Sequence, residues 1–279
     1  MTRDGTASRA TTATATVAGV EPGEPLLSLE HVSAGYGPFR AIFDVSFTLN
    51  AGEAIALLGS NGAGKTTIAR LCSGLIAPTS GRVLLGGDDI GGRPANRIAR
   101  LGVTQAPEGR SVFASLTVAE NLALGFRATV GAKGVPGALD AAYALFPRLG
   151  DRRSQLAGSL SGGEQRMLSL ARVLVHPPKV LIVDELSLGL APIIVEEVYR
   201  NLATVKAKGT ALLIVEQHVE HALALADQVV VLTRGEVTYD GPVLTLDELT
   251  EHLLPTALPD VVAEPRASTT DPATGTASA

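Results

Sequence analysis

Cysteine is almost missing. A single residue, Cys72, among 279 excludes an internal disulfide and fits a reducing compartment. No run of about 18 apolar residues occurs, and the longest candidates, such as Ala211 to Val215, are strand-sized. The chain is therefore expected not to cross a membrane by itself. An excess of positive charge is also lacking: the formal net charge is −5, so nothing points to nucleic acid as the main partner. Residues 1–20 carry two arginines but no apolar stretch, only interspersed Thr (6) and Ala (5), so no secretory signal is expected there. What is present is apolar material. Hydrophobic residues make up 46% and charged residues 18%, which excludes a disulfide-stapled miniprotein, a collagen-like chain and a wholly disordered one. Length allows one large domain or two small ones.

Residues 263–279 are almost entirely Ala, Thr, Ser, Pro and Gly. Neither end can bury enough apolar area to offset the entropy of ordering it, so 1–25 and 255–279 are expected as flexible tails around one α/β domain. No internal repeat is visible between Leu26 and Leu254. Leu26 to Val32 and Asp44 to Leu49 alternate as strands on one-sided sheets do, and Ala54 to Leu58 reads as a buried strand. Further strands are expected at Gly81 to Leu85, Leu101 to Thr104, Val180 to Val183, Thr210 to Val215 and Gln228 to Leu232, the last followed by a turn at Gly235. Helices are expected at Gly64 to Leu71, Thr117 to Phe126, Ser161 to Val175, Pro192 to Lys206 and His218 to Leu225. Arg127 to Gly137, with its glycines and Pro136, reads as a loop. Strands alternating with helices imply a largely parallel sheet covered on both faces.

Gly59-Ser60-Asn61-Gly62-Ala63-Gly64-Lys65-Thr66 satisfies G-x-x-x-x-G-K-[ST] at every position. It follows a strand and opens a helix, the context that gives this motif its meaning. The glycines let successive backbone N–H groups turn inward around a polyphosphate, and the helix N-terminus adds partial positive charge. Lys65 is expected to reach the β- and γ-phosphates and the Thr66 hydroxyl to ligate Mg²⁺. Val180-Leu181-Ile182-Val183-Asp184-Glu185 is the matching signal, because a buried strand delivers two carboxylates to its C-terminal end, where open α/β sheets bind ligands. Neighbouring strand residues point to opposite faces, so the two acids need different tasks. Asp184 is assigned to the Mg²⁺ shell and Glu185 to the attacking water.

Leu160-Ser161-Gly162-Gly163-Glu164-Gln165 precedes the helix at Arg166 to Val175. Ser161 with Glu164 makes a capping box, and the glycines leave the helix start open to an anion. This string resembles the LSGGQ signature of ABC ATPases, and it lies between the phosphate loop and Asp184 as in that family. The resemblance covers about Leu26 to Leu254. It implies a P-loop ATPase core of mostly parallel strands, with an antiparallel β subdomain and a helical subdomain at about 106–176. It further implies a head-to-tail pair of ATP-binding subunits, identical or paralogous, on two transmembrane permease subunits at the cytoplasmic face of the membrane, fed by an extracytoplasmic solute-binding protein. The nucleotide-contacting set carried over is Gly59 through Thr66 with Thr67, and Ser161, Gly162 and Gly163 would meet ATP held by the opposite subunit. Tyr36 resembles the aromatic that stacks on adenine, its alternative being a core tyrosine. Gln105 resembles the glutamine that senses Mg²⁺ and the membrane partner. Gln217 occupies the position where the wider family has a switch histidine, ten residues before Asp227, and His218 falls one place later.

Ala106 to Phe113, Leu116 to Leu122, Ser187 to Pro192 and Val215-Glu216-Gln217 resemble the LivF type, which serves branched-chain amino-acid importers. Related importers of urea or short amides and non-transport ABC ATPases are the alternatives; the latter usually carry two such domains or long insertions, and here there is one phosphate loop and one signature. Leu186 departs from the proline that usually follows the glutamate, and Leu253 to Asp260 departs from the type's usual end. His218 and His221 are expected on a solvated helix face, and Cys72 as a small buried hydrophobe.

Overall fold

The computed structural model describes residues 23–106, 111–187, 190–216 and 219–253. Two long strands open it, β1 (Pro25–Tyr36) and β2 (Phe39–Asn50), and these pair antiparallel. β3 (Ala54–Gly59) leads into α1 (Lys65–Cys72). Then come β4 (Ser80–Leu85), the short β5 (Asp88–Asp89), α2 (Ala95–Leu101) and β6 (Val103–Gln105). Three helices follow: α3 (Val118–Leu145), α4 (Pro147–Asp151) and α5 (Gly162–Leu174). β7 (Val180–Asp184), α6 (Pro192–Ala207), β8 (Ala211–Val215), α7 (Val219–Leu225), β9 (Gln228–Thr233), β10 (Glu236–Pro242) and α8 (Leu246–Leu253) complete the order.

The strands form two sheets. One is antiparallel in the order β2-β1-β4-β5; the other runs β10-β9-β3-β8-β7-β6, parallel except for the hairpin strand β10. Residues of the parallel sheet alternate strictly between two apolar cores. Ala54, Ala56, Leu58, Leu181, Val183, Leu212 and Ile214 pack with α3, α5 and α6. Ile55, Leu57, Val180, Ile182, Leu213 and Val215 pack with α1 and the antiparallel sheet. Burial on both faces explains why these strands read as unbroken apolar runs. Each fully buried Val, Leu or Ile of this sheet contributes about 1.5–3 kcal/mol.

The segment expected as a loop at 127–137 is instead part of α3. Gly131 (φ 69, ψ 172) breaks the helix, and the chain resumes helical on the far side with Pro136 inside. Glycine costs only about 1 kcal/mol in a helix, and here packing overrides it: Val135, Ala138, Leu139, Ala142 and Tyr143 form one stripe against the larger core. Leu101 closes α2 rather than opening a strand, with Gly102 (φ 103) as the left-handed C-cap. β10 and α8 carried no expectation; α8 is capped by Thr245 and Glu248 and anchored by buried Leu249.

Candidate nucleotide site

The apolar strand β3 delivers the glycine loop to the C-terminal edge of the parallel sheet. Gly59 (φ 152) passes so close to β9 that a Cβ would lie 2.4 Å from the Leu232 carbonyl oxygen. At Gly64 (φ 109) a Cβ would lie 2.6 Å from Ile42 Cγ2 on β2. Only glycine fits either place. Gly64→Ala is expected to destabilise the chain by about 1–3 kcal/mol through strain and overpacking. Denaturant unfolding measures this, and an unchanged midpoint would mean that the loop has room to move.

Ser60, Asn61 and Gly62 form the exposed rim, Ala63 is buried, Thr66 is half-buried and Thr67 is buried. The helices α3 and α5 have their first N–H groups closed by side-chain capping boxes, whereas α1 starts at Gly64 with no side-chain cap. Its leading N–H groups have no intrahelical acceptor, which suits an anion. Lys65 is buried, and its Nζ donates to the Gly59 and Ser60 carbonyl oxygens at 2.7 and 3.0 Å. Burial lowers its pKa, an effect opposed by the charges of Glu185 and Asp184. The structure therefore brings the lysine and both carboxylates of β7's end into one electrostatic site.

Asp184 is buried and follows Val183, which faces the larger core, so its side chain is directed to the α1 side. Glu185 then leaves the strand with φ 47, a left-handed backbone that costs a non-glycine residue about 1–3 kcal/mol. Its N–H donates to the Val215 carbonyl at 2.9 Å. Arg166 of α5 donates to the carbonyl oxygens of Asp184 and Glu185 at 3.3 and 3.2 Å. Leu186, in place of a proline, is buried in the larger core. Without proline after it, Glu185 also escapes the backbone restriction that a following proline imposes.

Tyr36 is 42% exposed at the end of β1, which excludes the core-tyrosine alternative. Its hydroxyl accepts from Arg70 at 3.4 Å. Together with Arg70, Ile76, Gln105 and Ser111 it lines an open cleft of about 610 Å³. Gln105 ends β6, and its Oε1 accepts from the Ser73 hydroxyl at 3.0 Å. The Ser161 hydroxyl, at the exposed start of α5, donates to Glu164 Oε2 at 2.9 Å and accepts from the Glu164 N–H. Gly162 has open space where a Cβ would stand, and Gly163 only ordinary contacts with Leu190 and Ile194.

Gln217 and His218 lie outside the described residues, as do 107–110 and 188–189. His221 is half-buried and stacks on Tyr199 at 5.2 Å between centroids, so it does not occupy the solvated face expected of it. Cys72 is fully buried, and burial pushes its thiol pKa up to about 12. The roles of two residues escaped the sequence reading: Arg166 supports the carboxylate turn, and Glu216, seen there only within Val215-Glu216-Gln217, is buried at the end of β8. A charged residue closing an all-apolar strand was the available signal for Glu216.

The family model described as ABC transporter matches residues 42–187. The chain belongs to the ABC transporter family. It is an ATPase of that family and binds nucleotide. It is 41% identical over 212 residues to the high-affinity branched-chain amino acid transport ATP-binding protein BraG of Pseudomonas aeruginosa, covering 76% of this chain and 91% of that one. A probable branched-chain amino acid transport ATP-binding protein, LivF, of Archaeoglobus fulgidus is 35% identical over 228 residues, 81% of this chain and 95% of the relative. Among solved structures, an ATP-binding subunit of an ABC transporter is similar with a TM-score of 0.71 at 28% identity, over 81% of this chain and 92% of that one. Among the described residues of this ABC ATPase, no helix is long and apolar enough to cross a membrane.

Proposed function

We propose that this ABC ATPase powers the import of branched-chain or related amino acids. The observation that carries this reading is the 41% identity to BraG, which extends over 91% of that relative. In this reading the N–H groups of Gly59 to Gly64 and the start of α1 cradle the triphosphate. Ser60, Asn61, Ala63 and Thr67 belong to this contact set. Lys65 leaves its two carbonyl acceptors for the β- and γ-phosphates, and Tyr36 stacks on the adenine above the cleft. The Thr66 hydroxyl and the Asp184 carboxylate are hard oxygen donors of the kind Mg²⁺ accepts alongside phosphate and water, and Gln105 would join them by releasing Ser73. Bound Mg²⁺ would neutralise charge on the β- and γ-phosphate oxygens. Glu185 orients and polarises the attacking water, and Gln217, which occupies the wider family's switch-histidine position in the sequence, is assigned to the γ-phosphate. Ser161, Gly162 and Gly163 present the start of α5 to ATP held by a second ATP-binding subunit, so hydrolysis requires the pair.

The remaining partners are two transmembrane permease subunits, contacted at the cytoplasmic face of the membrane, and through them an extracytoplasmic solute-binding protein. Phe113 is the proposed anchor on the permease. It is 48% exposed, yet its backbone is clamped by Asn121, whose Oδ1 accepts from the Phe113 N–H at 2.8 Å and whose Nδ2 donates to the Phe113 carbonyl at 3.0 Å. The Arg172 guanidinium lies over the ring at 5.9 Å. A rigidly held, half-exposed aromatic is the kind of residue that dominates protein contacts. Phe113→Ala, with Arg110→Ala, is expected to leave basal ATP hydrolysis nearly intact and to prevent co-purification with the permease subunits. The function itself is tested in vesicles bearing the assembled transporter, loaded with Mg-ATP. Uptake of leucine, isoleucine or valine that stops with Glu185→Gln supports the reading, and ATP-dependent uptake of urea alone would overturn it.

A further inference from the structure

β8 lies between β3 and β7, and its last residue, Val215, pairs with Leu57 on one side and Asp184 on the other. The next residue, Glu216, therefore emerges between the phosphate loop and the carboxylate turn. It is 1% exposed. A carboxyl group removed from water is costly unless strong hydrogen bonds compensate it. Here its Oε1 accepts from the Ser187 N–H at 3.0 Å and its Oε2 from the Ser187 hydroxyl at 2.8 Å. Burial and the Glu216 charge push the Tyr199 phenol pKa up. Two residues before Ser187, the Glu185 N–H donates to the Val215 carbonyl. The turn from Glu185 to Ser187 is thus tied to the end of β8 at both of its ends, with the left-handed Glu185 at its start. A strained backbone of that kind persists only where its surroundings over-determine it.

We propose that Glu216 is a positioning residue for hydrolysis. Its carboxyl holds Ser187, Ser187 closes the turn, and the closed turn keeps the Glu185 carboxylate aimed at the nucleotide site. This rests on the assignment of Glu185 to the attacking water. Because misplacement by about 1 Å costs up to about 100-fold in rate, the effect belongs to turnover rather than to nucleotide affinity.

The test uses the full chain with Mg-ATP, measuring steady-state turnover, ATP affinity by equilibrium binding and unfolding without nucleotide. Glu216→Gln keeps the volume and one acceptor oxygen. It is expected to lose at least about tenfold in kcat while ATP affinity stays within about twofold. Ser187→Ala, which keeps the backbone bond, should lose less, and the double variant should lose no more than Glu216→Gln alone, because both weaken the same link. Wild-type kcat in Glu216→Gln, additive losses in the double variant, or an equal loss of affinity would each overturn the proposal. If Glu216→Gln does not fold, Ser187→Ala decides alone: a loss confined to kcat supports the link, and an unchanged kcat overturns it. Glu185→Gln separates the two assignments. An inactive Glu185→Gln beside a fully active Glu216→Gln removes the role of Glu216 only, whereas an active Glu185→Gln removes both.

Discussion

Replacing Glu185 by glutamine is expected to lower ATP turnover by at least about 100-fold while ATP still binds, since a positioned acid–base group typically contributes about 10²–10⁴ in rate. The substitution isolates one atom's chemistry. Glutamine matches glutamate in volume and tolerates the same left-handed backbone (φ 47) about as well. The bonds that build the turn are backbone bonds, from the Glu185 N–H to Val215 and from Arg166 to the Asp184 and Glu185 carbonyls, so they survive the change. What disappears is the carboxylate's ability to accept a proton from water. The charge felt by Lys65 also drops, since Glu185 is one of the two carboxylates that raise its pKa against burial. ATP should therefore bind at least as well, and a pair of subunits closed around it cannot open by hydrolysis. Size-exclusion chromatography with Mg-ATP should show a persistent dimer beside an inactive assay. A monomeric variant with unchanged turnover would mean that the water is activated elsewhere.

The parts of this site legible in the sequence are those where one physical demand selects one residue type at one spacing. Gly59 and Gly64 are such cases, because the backbone takes positive φ against β9 and β2 and leaves no space for a Cβ. The β7 strand is another, since burial on both faces requires an unbroken apolar run up to Asp184. Capping boxes at Thr117–Glu120 and Ser161–Glu164 are local enough to be read directly, and both form. Illegible were features set by partners distant in sequence. Nothing local to Arg127–Gly137 competes with its glycines and proline; only the larger core, reached through Val135, Ala138 and Ala142, makes it helical. The hydrogen bond between Gln105 and Ser73 spans 32 residues, and that between Glu216 and Ser187 spans 29. Tyr36 shows the limit from the other side, because its aromatic identity allowed either core or surface, and only the end of β1 decides for the surface.

Lys65→Met should abolish most nucleotide binding while leaving the chain folded. The ammonium holds two loop carbonyls at 2.7 and 3.0 Å and lies in the field of Asp184 and Glu185. In the nucleotide-free protein its removal costs about 1 kcal/mol per hydrogen bond. Burial already disfavours the charged ammonium, and methionine fills a similar volume without that penalty, so the net change in stability is small. With ATP the balance differs, because hydrogen bonds between charged groups contribute about 1.5–3 kcal/mol each. Loss of the phosphate contacts should weaken affinity by about 100-fold, equivalent to about 2.7 kcal/mol. Thermal unfolding reads this directly. At an ATP concentration 100 times the wild-type Kd, binding stabilises the wild type by about 2.7 kcal/mol and a 100-fold weaker binder by only about 0.4 kcal/mol. The expected result is a nucleotide-free Tm close to wild type and an ATP-induced shift that nearly vanishes. A variant that keeps the full ATP-induced shift would show that the backbone N–H groups of Gly59 to Gly64 hold the phosphates alone. A variant that collapses without nucleotide would show that the lysine's bonds to Gly59 and Ser60 serve the fold rather than the ligand.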